Sequence, residues 1–468
     1  MTEIGKQHDS YLKKTQDQIR FFYSQNQKVK IYHGSTNSTR AQNFEKDKFV
    51  DVSQLNHVVE INTKEQYVLV EPNVPMDKLV EATLEYNLVP PVVMEFPGIT
   101  VGGGVQGGAG ESSSFKYGLF HDICLEYEIV VGNGEVFTVS PTQNPDLFYG
   151  TACSYGSLGI ITLVKLRLVP AKEFVCLTYH NVKSFDEALS LTKKKVAEKV
   201  DFVDGIMFSK KLGTVMVGNF SEKQNLPIST FCGASDEWFY LHASKISKHH
   251  EEYEELIPIR DYLFRYDRGA FWMGLFVFRF FKLPFIKIIR SLGDKLFKTR
   301  KIYQLLHATN LSQRFVVQDI SLPENGALRF LEFVDRELHV YPLWICPLLP
   351  GKNSKLSPSC LETNLVINVG VWGEVQREFS QFVKINRDLE NEVINLKGRK
   401  VLYAHAYYTQ DEFWKIYDLA EYNSLREKYF ATSVFPDIYT NTRVFEQYKP
   451  SVWRGLWKFL RFPKLPIS

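Results

Sequence analysis

The chain has 468 residues, 44% of them hydrophobic and 14% aromatic, which is enough to bury a large core divided among two or three domains. That composition excludes a disordered protein. With 23% charged residues and a formal net charge of +3, no global field favours wrapping nucleic acid, so any basic function must be local.

The N-terminal "MTEIGKQHDSYLKKTQDQIR" has no apolar run of the secretory kind, and no N-terminal anchor is expected there. The six cysteines, Cys124, Cys153, Cys176, Cys232, Cys346 and Cys360, never form a C-x-x-C pair, which argues for a reducing, cytoplasm-facing compartment. Residues 28–171 alternate short β-rich runs such as "VLVEP" and "GIITLVKLRLVP" with glycine- and proline-rich turns. In "YEIVVGNGEVFTV" the stretch from Gly132 to Glu135 predicts a hairpin turn. Residues 172–351 read as helical, with aromatic and charged text such as "EEYEELIPIRDYLFRYDRGAFWMGLFVFRFF". Residues 352–447 return to β-like text, "TNLVINVGVW" and "RKVLYAHAYY", followed by an amphipathic helical run. On an extended "YAHAYY", His405 and Tyr407 share one face and Tyr408 takes the other.

The stretch "TVGGGVQGGAGESSSFKYGLF" holds a G-x-G-x-x-G at Gly102, Gly104 and Gly107. A dinucleotide fingerprint needs a buried strand before the first glycine and a helix from the third. Neither flank fits. "PPVVMEFPGI" precedes it, and glycine and serine continue beyond it. A long glycine loop instead brings main chain close to a flat ligand, because glycine has no Cβ to collide. That suits a pyrophosphate and an isoalloxazine ring. "YHGSTNSTR" offers an anion-cradling composition upstream, and "YGSLGIIT" lets backbone lie along a ring edge before entering a strand. Either loop alone also reads as an ordinary turn.

The three loops in this order resemble the vanillyl-alcohol-oxidase-type, or PCMH-type, FAD domain. "ESSSFKYGLF", "NPDLFYGTACSYGSLGIITLVKLRLVPAK", "HVYPLWICP" and "INVGVWGE" narrow the resemblance to the delta(24)-sterol reductase family, over residues 32–448. The resemblance implies an α+β fold: a two-subdomain FAD-binding domain (1–172), an α+β substrate or cap domain (173–447) and a basic, tryptophan-rich tail (448–468). It places Gly34, Ser35, Thr36, Asn37, Ser38 and Thr39 at the FAD pyrophosphate. Val101, Gly102, Gly103, Gly104, Gly107 and Gly110 run beside the flavin, and Gly156, Ser157, Gly159, Ile160 and Ile161 flank its ring. Asn37 stands near the place where relatives of the wider superfamily carry a flavin-linked histidine, so the FAD is expected to be non-covalent. His33, one residue before the loop glycine, reads as a hydrogen-bonded strand end, with a flavin link as the alternative.

The activity so implied is reduction of a sterol side-chain carbon–carbon double bond, with NADPH as reductant. The alternatives are an FAD oxidase or dehydrogenase of an alcohol or sugar, and a flavin- and sterol-binding membrane protein without turnover. An isolated alkene needs a proton donor and aromatic faces that tolerate positive charge. Candidate donors are Tyr407 and His405, then Glu111 and Lys116; Lys116 and Arg399 serve equally well as phosphate partners. Tyr117, Phe120, Tyr341, Trp344, Trp372, Tyr408 and Trp414 supply further aromatic surface, at least half of it expected in the core. No metal motif occurs, and His249 and His250 read as solvated. The resemblance implies an N-terminal membrane-anchoring segment in animal and plant members, and none is expected here. "VWRGLWKFLRFPKLP" near the C-terminus has the composition of an interfacial anchor, although it also reads as a tail packed on the body. "GAFWMGLFVF" is too short to span a bilayer. The expected location is peripheral on a cytoplasm-facing membrane, the endoplasmic reticulum in a eukaryote, or the cytoplasm.

Overall fold

The computed structural model describes residues 3–34, 38–40, 48–375 and 378–453, together with 455 and 457. The fold is α+β, built on two antiparallel sheets. The first has five strands in the order Val58–Asn62, Tyr67–Val70, Ile160–Arg167, Cys124–Val130 and Val136–Val139. Its last two strands form the expected hairpin, turning at Gly134 with φ +79°. Lys30–Tyr32 pairs in parallel with Phe49–Asp51 beside it.

The N-terminal helix Glu3–Ser24 buries His8, Thr15, Ile19 and Phe22, a spacing that keeps all four on one face. Ile19 and Phe22 pack with Val50, Val130, Ile160, Val434 and Phe435. Thus the N-terminal helix and the segment around Val434 and Phe435 meet on the first sheet. Residues 419–435, expected with the substrate domain, pack there too: buried Arg426 donates to the carbonyls of Ser157 and, at 2.7 Å, of Phe435.

The glycine-rich stretch corrects the expectation of a long loop. Val101–Gly107 is a two-turn helix, capped by Thr100 Oγ1, which accepts from the Gly103 N–H at 3.1 Å, and ended by Gly108 at φ +64°. Glycine disfavours a helix by about 1 kcal/mol per residue, but here its lack of a side chain permits close packing. A Cβ on Gly104 would stand 2.6 Å from Met94 Cε and 2.8 Å from Phe120. The segment before it, Leu88–Val89, pairs antiparallel with Val169–Pro170, so the parallel strand of a dinucleotide fold is absent at this point.

The second sheet has eight strands, in the order Glu252–Pro258, Phe174–Val182, Leu212–Ser221, Phe202–Ser209, Leu343–Leu348, Val366–Glu374, Phe315–Pro323 and Arg399–Lys400. The middle region therefore carries six of these strands alongside the helices expected there. Its strands find partners far along the chain, which helical periodicity in short windows does not register. Helices Phe185–Val196, Glu324–Glu337 and Phe379–Asn395 cover one face through Phe185, Phe330, Val334 and Leu389. The opposite face joins Val175, Ile206 and Trp344 to Trp238, Phe271 and Trp272 in a core continuous with that of the first sheet.

"YAHAYY" is mostly loop rather than strand, with Ala406 making an isolated bridge to Arg443. Residues 269–278, weighed above as a membrane segment, are core: Ala270, Phe271, Trp272, Phe276 and Phe278 are buried. Among the described residues no helix is long and apolar enough to cross a membrane. In the tail, the Ser451 N–H donates to the Thr309 carbonyl at 3.0 Å, docking the chain on the end of helix Thr299–Thr309, while Trp453 stays exposed.

Candidate cofactor and substrate site

A cavity of about 970 Å³ opens where the two sheets' cores meet, at the upper end of the roughly 300–1,000 Å³ usual for ligand sites. One end is lined by Gly102, Gly103, Gly107, Gly108 and Gly110, by Gly156, Gly159, Ile160 and Ile161, and by Ser38, Thr39 and Arg40. The three loops singled out in the sequence thus converge. Gln106 Oε1 accepts from Ser154 Oγ and from the Gly156 N–H, each at 3.0 Å, and so ties the second loop to the third. Ser38 Oγ donates to the Tyr403 carbonyl at 2.8 Å, and Arg40 donates to the carbonyls of Leu402 and Ala404. Those bonds fasten the first loop to the far end of the second sheet.

Val101, Gly104, Gly34 and Ser157 are not part of the lining. Val101 and Gly104 face the core, Gly34 sits in an exposed turn at φ +76°, and the Ser157 carbonyl is taken by Arg426. Ser35, Thr36 and Asn37 lie outside the described residues.

This end fits a dinucleotide. A Cβ on Gly107 would meet nothing within 4 Å, so the main chain there faces open cavity. Thr39 Oγ1 and His33 Nδ1 are buried without a partner, and both residues line the cavity. Burial lowers His33 to about 4, keeping its imidazole neutral.

The other end is aromatic and aliphatic. Phe96, Phe271, Trp344 and Trp372 form a wall in which Phe271 and Trp372 lie 4.3 Å apart and Trp344 stacks on Trp372 at 6.0 Å. Phe276, Val277, Ile302 and Leu306 continue it toward the surface. Of the aromatics singled out in the sequence, Trp344 and Trp372 belong to this wall. Set into it is one polar cluster. Tyr403 Oη donates to Asp319 Oδ2 at 2.6 Å, Asn368 Nδ2 donates to Asp319 Oδ1 at 3.2 Å, and Ser321 Oγ donates to Asn368 Oδ1 at 3.4 Å. Glu95 also lines the cavity.

Residues 12–140 match the FAD binding domain family. Over 459 residues, 94% of this chain and 87% of the relative, the sequence is 30% identical to the Delta(24)-sterol reductase of Homo sapiens. The chain belongs to the delta(24)-sterol reductase family. The Delta(24)-sterol reductase of Arabidopsis thaliana is 29% identical over 449 residues (86% of this chain, 77% of the relative). The homolog dhcr-24 of Caenorhabditis elegans is 27% identical over 421 residues (83% and 78%).

Within this member of the delta(24)-sterol reductase family, the four donors named from the sequence lie outside the cavity lining. His405 is buried with Nε2 at 3.5 Å from Ser312 Oγ; burial and the Arg40 and Lys400 charges lower it to about 3, leaving a neutral imidazole that is a poor acid. Tyr407, whose ring centroid is 6.3 Å from that of His405, has a buried, unpartnered hydroxyl that burial pushes well above its ordinary range. Glu111 accepts from Arg265 Nη2 at 3.0 Å, and burial raises it to about 7 against that pairing. Lys116 is a surface partner of Asp201 at 3.0 Å. Arg399, weighed as a phosphate partner, donates to the carbonyls of Lys355 and Ser357.

Besides the exposed Glu446, the acids that reach the cavity are Asp319 and Glu95. Burial lifts Asp319 to about 6 despite the hydrogen bonds from Tyr403 and Asn368. Burial and the Glu111 charge hold Glu95 well above the usual carboxylate range. Sequence reasoning missed both, along with Arg40 and Tyr403. A carboxylate within the alternating strand "FVVQDISLP" was the available signal for Asp319.

Proposed function

We propose that this protein binds FAD non-covalently, takes reducing equivalents from NADPH, and reduces a side-chain carbon–carbon double bond of a sterol. The observation that carries the reading is one cavity joining a glycine-lined polar end to an aromatic end that holds the Asp319–Tyr403 pair. FAD, when bound, supplies hydride chemistry. Gly102, Gly103, Gly107, Gly156 and Gly159 would border it, with Thr39 and Arg40 as its polar neighbours.

An isolated trisubstituted alkene is a poor hydride acceptor, so the proton has to come from the chain. Asp319, protonated at or below about pH 6, is the cavity-lining acid with two fixed donors to receive it as a carboxylate. Its proton goes to one alkene carbon, and a hydride equivalent goes to the more substituted one. The π pair forms the new C–H bond at the protonated carbon, and the product gains two hydrogens. Trp344, Trp372 and Phe271 exclude water and present π faces to the positive charge that develops between the two transfers. Asp319 then recovers a proton from solvent.

The test is anaerobic. NADPH should bleach the flavin, and a sterol with an unsaturated side chain should restore its colour while gaining two hydrogens. Bleaching by alcohols or sugars, with colour restored by oxygen, would overturn the reading in favour of an oxidase.

A further inference from the structure

The segment from 278 to 298, "FRFFKLPFIKIIRSLGDKLFK", interleaves apolar and basic residues at a density unusual for a globular surface. Its fold sorts them. Phe278, Phe285 and Phe297 turn inward onto Trp238, with ring centroids 6.1, 5.5 and 5.8 Å away. Arg290 is also drawn in, lying over the Phe285 ring at 4.7 Å and pairing with Glu237. The segment is thus stapled to the body. Even so, Phe281, Leu283, Ile286, Ile288, Leu292 and Leu296 remain exposed, Leu292 by 85% and Ile288 by 68%.

Charge on this face has one sign. Arg279, Lys282, Lys287 and Lys295 are exposed, whereas the segment's single acid, Asp294, is buried against Arg268 at 2.6 Å. The face also borders the cavity: Phe280 and Phe281 are lining residues, as are Ile302 and Leu306 on the following helix. Val452 lines the same rim, and its neighbour Trp453 is 85% exposed.

We propose that this face, with the Trp453 turn beside it, docks on the headgroup region of an anionic lipid bilayer and seats the cavity rim on the membrane. An apolar surface flanked by cations lowers its free energy by sinking into the interface while its lysines meet anionic headgroups. A second copy of this chain is the poorer occupant, since a self-complementary contact would bring the same cations face to face. With no spanning helix among the described residues, attachment from this face lies along the interface rather than across it. That a sterol enters by this rim rests on the function proposed above; the docking itself does not.

The full-length, FAD-loaded chain is floated with phosphatidylcholine vesicles, with and without phosphatidylserine. Anionic vesicles should capture at least about tenfold more protein than neutral ones, and added salt should reduce the excess. Ile288→Glu with Leu292→Glu should lower capture at least about tenfold, and Lys282→Glu with Lys287→Glu should abolish the anionic preference. Unchanged flavin content and melting temperature establish that the variants are folded. Equal capture of wild type and Ile288→Glu/Leu292→Glu would overturn the proposal, as would a wild-type chain that floats with neither vesicle. A concentration-dependent dimer lost in the same variant, without vesicle capture, would hand the face to a second copy. The entry route is read separately. The Ile288→Glu/Leu292→Glu variant should turn over detergent-dispersed sterol normally but show a raised KM for sterol embedded in vesicles. Vesicle capture without turnover of any sterol would sink the function and leave the docking face standing.

Discussion

Tyr403 and Asp319, 84 positions apart in the chain, meet at 2.6 Å inside the cavity. Each comes from a different part of the second sheet's edge: Asp319 from the strand Phe315–Pro323, Tyr403 from the turn after Arg399–Lys400. The pair sets an acid with its conjugate base already solvated against an otherwise aromatic wall. Replacing Asp319→Asn should therefore slow alkene-driven reoxidation of the flavin by about 10²–10⁴-fold while leaving reduction by NADPH nearly intact. Tyr403→Phe removes one donor to the carboxylate and should cost about tenfold in the same half-reaction. Stopped-flow traces of the two half-reactions separate these effects.

The pH dependence follows from the same carboxyl. Its pKa is raised to about 6, and its working form is the protonated one. Alkene-driven reoxidation should accordingly be full below about pH 6 and fall about tenfold per pH unit above it, a slope that Asp319→Asn removes. A profile that rises through this window would assign the proton to another group.

His8 clamps the N-terminal helix to the first sheet, with Nδ1 2.8 Å from Glu71 Oε1 and Nε2 3.0 Å from Glu128 Oε1. Burial opposes its charge, but the bonds to Glu128 and Glu71 outweigh that and raise it to about 9. A histidine raised above its unfolded value contributes stability that is complete below about pH 6.5 and is lost as the pH climbs through about 9. Denaturant midpoints should fall across that window. His8→Ala should lower stability by about 2 kcal/mol at neutral pH and flatten the fall.

Gly107 tests the cofactor end without straining the fold, because a side chain there enters open cavity. Gly107→Leu should purify folded but colourless, with FAD affinity reduced at least about tenfold. Wild-type protein should be yellow and release intact FAD on mild denaturation. Flavin that stays with the denatured wild-type polypeptide would refute non-covalent binding.

Arg265 joins Glu111, just beyond the glycine-rich helix, to Asp204, in the second sheet, at 3.0 Å each. Asp204 Oδ2 also accepts from the indole of Trp344 at 3.1 Å, so this buried charge supports the cavity wall. Arg265→Ala strands two buried carboxylates and should cost about 3–5 kcal/mol in urea denaturation. Adding Glu111→Gln to that variant should recover part of the loss, since one stranded charge is then removed.

The sequence by itself determined the features that depend on neighbouring residues. The hairpin at Gly134 follows from its turn residues, and the absence of a dinucleotide fingerprint follows from the proline-broken run before Gly102. The three glycine-bearing segments could be picked out because glycine is a local signal, although the second of them coils into a helix. Tertiary structure decided the rest. Residues 101–107 coil into a helix that packs Gly104 against Met94 and Phe120, where a Cβ would not fit. Phe174–Val182 is a strand because Leu212–Ser221 and Glu252–Pro258 flank it on both sides. His405 and Tyr407 stay out of the cavity lining while Asp319 reaches it, and the aromatics of 278–298 divide into an inner staple and an outer face. Such outcomes depend on contacts between segments tens to hundreds of residues apart, whereas propensity and periodicity act over a few residues, so no local pattern encodes which side of a residue will meet the cavity.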